Sequence, residues 1–170
     1  VPLLIMIGHR HSTRSMRAGA PHGKYSEVPT ISVVAGEPAI TRKFYADGLG
    51  LTAVVDDETP EAYRDLVCTL TGAPPGTRIH WLHYQDPDEP SGKLLLVHFI
   101  GSPGKRLVGR MHPSRLGVGM FQHSCEDLDA LHTRLRAIDA HVETPPTFVG
   151  DARLMLVRGP NEELFEITQR

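Results

Sequence analysis

Apolar and polar positions along this chain fall into one phrase that is spoken twice. Residues 31–51 read ISVVAGEPAITRKFYADGLGL, and residues 119–141 read GMFQHSCEDLDALHTRLRAIDAH. Each runs from a short apolar strand through an acidic turn into an amphipathic helix that stops at small residues. Each is followed by a strand-rich stretch ending on an apolar strand, KLLLVHF at 93–99 and ELFEITQ at 163–169. Internal repetition of this kind predicts an α+β fold of two βαβββ modules, paired as half-barrels around a concave cleft.

The first phrase opens on ISVVA, a strand by its β-branched content. Glu37-Pro38 starts the helix, because proline in the first turn sacrifices no hydrogen bond. Ile40 and Phe44 are four apart, which predicts one shared face buried against the sheet. Gly48 or Gly50 ends the helix, and LTAVV resumes strand. An acidic loop, a short helix near 60–70 and a Pro-Pro-Gly turn follow. TRIHWLHY then reads as strand, DPDEPSG as turn and KLLLVHF as a buried strand. In the second phrase GMFQHSC is strand and Asp127 an N-cap. Leu128, Leu131, Leu135 and Ile138 form a helical core stripe. AHVETPP is a strand leading into a turn, and ARLMLVRG and ELFEITQ are strands joined by a GPNEE hairpin. The domain boundaries read as a leader or arm at 1–29, a first module at 30–100, a Gly/Pro/basic linker at 101–117 and a second module at 118–170.

Composition narrows the class without naming a function. The 170 residues are 40% hydrophobic and 22% charged, an ordinary globular balance large enough for a real core. A net charge of −2 and a pI near 6.6 give no electrostatic case for nucleic acid or an anionic membrane as partner. Cys68 and Cys125 lie far apart with no CxxC spacing, which predicts free thiols and a reducing, cytoplasmic setting. The leading VPLLIMIG is far shorter than the ~20 residues of a membrane span and lacks the marks of a secretory signal. The polar tract behind it reads as a loose leader, with an arm docking on a partner subunit as the alternative. Its His9, His11 and His22 receive no role.

Three motifs make a resemblance specific. FYADGLGL at 44–51 resembles an "FY…LGL" helix end, and SCEDLDAL at 124–131 is similar to a "v-D-L-d" strand-to-helix turn. RGPNEELFEITQ at 158–169 resembles a "DP-D-G-n-x-x-E-L" hairpin that closes a module. In this order and spacing they resemble the vicinal oxygen chelate superfamily, which includes glyoxalase I, bleomycin-resistance proteins, fosfomycin-resistance enzymes and extradiol dioxygenases. The resemblance covers everything after the leader. It implies the paired-module fold, a small-molecule partner and pairing as a homodimer.

In relatives that hold a metal, the ligands are His and Glu from the first and last strands of each module. The corresponding positions here are Thr30, Leu95, Met120 and Glu166. A hydroxyl, an isobutyl and a thioether are poor ligands for a divalent cation that wants imidazole or carboxylate. The expectation is therefore no metal and no cofactor. Strand parity tests a relocated site. If Leu95 faces the cleft, His98 points away. If Met120 faces it, so does Gln122, while His123 points to the helices. His80 and His83 point to opposite faces, so at most one can serve.

A metal-free cleft leaves Glu166 as a general acid or base, with its pKa raised by desolvation, and His80 as the next proton-transfer candidate. Alternatively, Glu166 pairs with Arg153 or Arg78 and only keeps the cleft in shape. Thr30, Ser32, Trp81, Leu95, Met120 and Gln122 complete the ligand-binding set, with Trp81 able to stack on a planar molecule or to fill core. The expected function is a lyase, isomerase or cyclase acting on a small organic molecule, aromatic ones included, without metal. The alternatives are a sequestering protein like the bleomycin-resistance group, or a metal-dependent glyoxalase- or dioxygenase-type enzyme with non-standard ligands. Gly101–Lys105 does not satisfy a phosphate-loop pattern, and Ser124, Cys125 and His123 alternate faces, so neither is a catalytic motif.

Overall fold

The structure is a computed structural model that describes residues 30–85, 93–102, 104, 108–109, 111–112, 114 and 120–170. The predicted leader at 1–29, the DPDEPSG turn from residue 86 onward, Lys105 and most of the predicted linker lie outside the described residues. Eight described strands form two four-stranded mixed sheets, one per module. The α+β class and the two βαβββ-like modules are as the repeat predicts. No helix among the described residues is long and apolar enough to cross a membrane.

The first sheet contains β1 (Thr30–Val34), β2 (Thr52–Glu58), β3 (Arg78–Gln85) and β4 (Lys93–Ile100), in the order β1-β4-β3-β2. β1 runs parallel to β4, and the other pairs are antiparallel. β2 extends through Asp56, Asp57 and Glu58, residues whose acidity predicts a loop. Cross-strand partners hold them there: Glu58 takes an ion pair from Arg78, and Asp56 Oδ1 lies 2.8 Å from His80 Nε2. Helix α2 (Glu61–Thr71) follows, ending at Gly72 in the left-handed conformation, φ 70°.

The second sheet contains β5 (Phe121–Cys125), β6 (His141–Val149), β7 (Ala152–Arg158) and β8 (Leu164–Gln169), in the order β5-β8-β7-β6. Helix α3 (Leu128–Ala137) begins as predicted, with Asp127 Oδ1 accepting from the Ala130 N–H at 2.9 Å. Its Leu128, Leu131 and Leu135 are buried. β6 includes ETPP as expected and continues through Thr147–Val149, beyond the point where a turn was expected, with register shifts on either side of Thr144. β6 is an edge strand, so Pro145 and Pro146 can sit in it without denying the ladder a donor.

The helix after β1 holds the main departure. It is α-helical at Pro38–Arg42 (α1) and continues as a π-helix over Lys43–Gly48. Its buried positions are Thr41, Phe44, Tyr45 and Gly48, whereas Ile40 is 57% exposed. The predicted Ile40–Phe44 face is thus corrected by one residue. The aromatic pair decides it: Phe44 and Tyr45 stack on Phe165 of β8 at centroid distances of 5.8 and 6.1 Å. Gly36–Gly50 consequently belongs to the compact unit formed by the second sheet. The first unit holds β1 through Ala35 and the chain from Leu51 to β4.

Candidate functional site

In the first unit, pairing register places Ser32 beside Leu95, and Trp81 beside Val97 on the same face. Thr30, paired with Lys93, begins the same row. α2 closes over this face. Val67 and Cys68 pack with Ile79, Trp81, Leu95 and Val97 into one core, and Trp81 and Leu95 are 8% and 9% exposed. The Trp81 indole N–H donates to the hydroxyl of buried Thr59. Trp81 and Leu95 therefore fill core, because the helix between β2 and β3 covers the surface that a ligand would need.

His80 requires a correction. It stands opposite His98 and on the face away from Trp81, and its Nε2 pairs with Asp56. His83, aligned with Leu95, shares the Trp81 face. Parity separates the two, and the histidine on the covered Trp81 face is His83. His98 is turned away as well, with Nδ1 3.3 Å from the Ala35 carbonyl.

The second unit gathers its candidates on the sheet face that α3 leaves open. Phe165, Ile167, Met155 and Val157 point to the helices and are buried. By alternation Glu166, Thr168, Leu154, Leu156, Gln122 and Ser124 take the opposite face. Gln122 and Glu166 are direct cross-strand partners, and Gln122 Nε2 donates to Glu166 Oε1 at 3.0 Å. On its other side Glu166 pairs in register with Leu156. The second oxygen of Glu166 meets no partner among the described residues.

Neither suggested arginine neutralises Glu166. Arg153 grips Asp129 through two bonds of 2.7 and 2.8 Å and reaches Gln169 at 3.1 Å. The hydrogen bond from Arg153 holds the Asp129 carboxyl below its ordinary value. Arg78 likewise donates to Glu58 and lowers its pKa. His123 faces the helix side, with its ring 5.5 Å from Phe165, and burial lowers its pKa. Burial pushes the Cys125 thiol up, and Asp127 adds to the shift.

Donor chemistry does not fit the family's divalent ion. Within the first unit Thr30 and Leu95 supply one hydroxyl and an aliphatic group. Within the second, Met120 and Glu166 supply a thioether and one carboxylate already bonded to Gln122. Among the described residues no three His, Cys, Asp or Glu side chains converge to hold a metal.

One polar cluster escaped the sequence reading. Glu163 is 1% exposed, and its hydrogen bonds among the described residues come from uncharged donors. Its Oε1 accepts from the Tyr45 hydroxyl at 2.7 Å and from Asn161 Nδ2 at 2.8 Å, and its Oε2 from the Asn161 N–H at 2.7 Å. Asn161 Oδ1 in turn accepts from the Gly36 N–H at 2.8 Å. The cluster ties Gly36, at the start of the Gly36–Gly50 segment, and Tyr45, within its helix, to the β7–β8 hairpin. Its members lie inside the FYADGLGL and GPNEE motifs, the only signal that sequence offered. Glu162 adopts φ 71° where the resembled hairpin pattern carries Gly, a conformation that glycine reaches without strain.

Solved structures share this architecture. A glyoxalase family protein from Bacillus cereus superposes with a TM-score of 0.72 at 18% identity, over 89% of this chain and 98% of that one. TnmS3, an antibiotic binding protein from Streptomyces, gives 0.57 at 17% identity, over 87% and 98%. Glyoxalase I from Zea mays gives 0.60 at 14% identity, over 84% of this chain and 44% of that one. A search of curated proteins gives no match. The family model matches residues 27–167, and with both modules and their closing hairpin in place the chain belongs to the Glyoxalase/Bleomycin resistance protein/Dioxygenase superfamily.

Proposed function

We propose that this protein takes a small organic molecule on the open face of its second sheet and works on it without the family's metal. One observation carries the reading. Glu166 has a single neutral donor, Gln122, and an oxygen that no described residue occupies. A carboxylate so placed is held still and remains able to accept a hydrogen bond from a ligand. Leu154 and Leu156 supply apolar surface beside it, the usual mixture at small-molecule sites. An antibiotic binding protein of the same fold supports capture as the basic activity.

Acid–base chemistry at Glu166 is the enzymatic form of the same contact, giving a lyase, isomerase or cyclase. The unoccupied oxygen favours it, since a general base must reach the proton that it removes. His80 pairs with Asp56 within the first unit, so the proton-transfer reading rests on Glu166 alone. Capture is therefore the primary reading. By likeness to the family, the protein works as a homodimer. Glu166→Gln separates the two activities once a ligand is found by thermal-shift screening of aromatic and other metabolites. An enzyme loses turnover by about 100-fold or more at saturating ligand, beyond whatever affinity the variant loses. A sequestering protein shows no turnover before or after the change. Unaltered turnover in the variant would exclude Glu166 from the chemistry.

A further inference from the structure

We propose that the molecule held at Glu166 is an organic cation, a protonated amine or amidinium carried on an apolar body. This rests on the reading of the open second-sheet face as the binding surface and adds the chemical class. Glu166 is half-buried, and its one bond comes from an uncharged amide. The arginines along the same sheet are committed elsewhere. Arg153 holds Asp129. Arg158 donates to Glu143 at 2.5 Å and to the Glu162 carbonyl at 3.1 Å. Arg170 donates to Ser124 Oγ at 2.6 Å.

Arg158 and the Ser124–Arg170 pair stand diagonally across from Glu166, one step along the face in opposite directions, and the bonds just named are made to other groups. The carboxylate is thus partly stripped of solvent and carries a charge that the protein does not answer by contact. A ligand cation would answer it through a charge-assisted hydrogen bond, stronger than a neutral one. An anionic ligand would meet repulsion at the same oxygen. Leu156, the cross-strand neighbour of Glu166, gives the apolar body a place to lie, with Leu154 next along β7.

Isosteric probes decide the matter. Isotope-labelled protein is titrated with benzylamine, benzyl alcohol and benzoate while backbone amide resonances are followed. Benzylamine is expected to shift the amides of Gln122, Leu156 and Glu166 with at least about tenfold tighter binding than either analogue. In Glu166→Gln, with the fold checked by spectral dispersion, benzylamine should fall to the level of benzyl alcohol. Equal binding of benzylamine and benzyl alcohol at those amides overturns the cation class and leaves the binding face standing. Preference for benzoate does the same. No response at those amides to any of the three overturns both the class and the face.

Discussion

Replacing Glu163 by glutamine tests whether a buried carboxylate fastens the Gly36–Gly50 segment to the second sheet. The side chains are nearly isosteric, so the change is one of donors and acceptors. If the glutamine oxygen stays with Tyr45 and Asn161 Nδ2, its NH2 group faces the Asn161 N–H, donor against donor. If the amide is turned over, that N–H is satisfied and Asn161 Nδ2 loses its acceptor. Asn161 cannot flip in compensation, because its oxygen already accepts from Gly36. Either orientation strands a part-buried donor of Asn161, at about 1–3 kcal/mol. The surviving bonds also lose their charge assistance, which brings the total to about 2–4 kcal/mol.

The assay is urea unfolding followed at the amides of residues 36–50 and 141–169, since the lone tryptophan, Trp81, lies in the first unit. Combining the change with Tyr45→Phe completes a double-mutant cycle, and a coupling of about 1 kcal/mol or more is expected. A loss below about 0.5 kcal/mol, within the range of ordinary surface substitutions, refutes the fastening role. So does strict additivity with Tyr45→Phe.

Three further outcomes follow from particular contacts. In Gly159→Ala the new Cβ would lie 2.5 Å from Glu163 Oε2 and 3.2 Å from Phe165 Cε2, so overpacking should cost about 1–3 kcal/mol in denaturant titration; an equally stable variant would mean that the hairpin yields freely. His123 is held below its ordinary value of 6.5 by burial, so the unfolded chain binds a proton that the folded chain resists. Stability from this residue is complete above 6.5 and declines as the pH falls below it. Melting curves across that range should flatten in His123→Phe, and an unchanged slope would assign the dependence to another group. Exhaustive chelation should leave the melting midpoint and ligand binding unchanged, with no stoichiometric metal by elemental analysis; one tightly held divalent ion per chain would contradict the donor reading.

Strand-level patterns were legible because they depend on neighbours in sequence. The β-branched run at ISVVA, the Asp127 cap and the leucines of α3 all formed where their spacing put them. Face assignment by alternation also held. His98 and His123 turn away from the rows of Leu95 and Gln122, and His80 and His83 part company. What alternation could not supply was which histidine shares the Leu95 row, since that needs the β3–β4 register. The acidic end of β2 reads as loop in the sequence because its cross-strand partners, Arg78 and His80, lie twenty or more residues away.

The amino-acid order by itself determined the two-module repeat and the core stripe of α3, because each is a matter of residue type and local period. Tertiary structure alone decided three things. α2 lies over Trp81 and Leu95, turning an expected binding wall into core. The helix of the first phrase packs on the second sheet, since Phe44 and Tyr45 find their aromatic partner at Phe165. Glu163 is buried on uncharged donors among the described residues, because Tyr45 and Asn161 bring it three. Each of these depends on which distant segment covers a face, and packing between segments far apart in the chain has no local period to announce it.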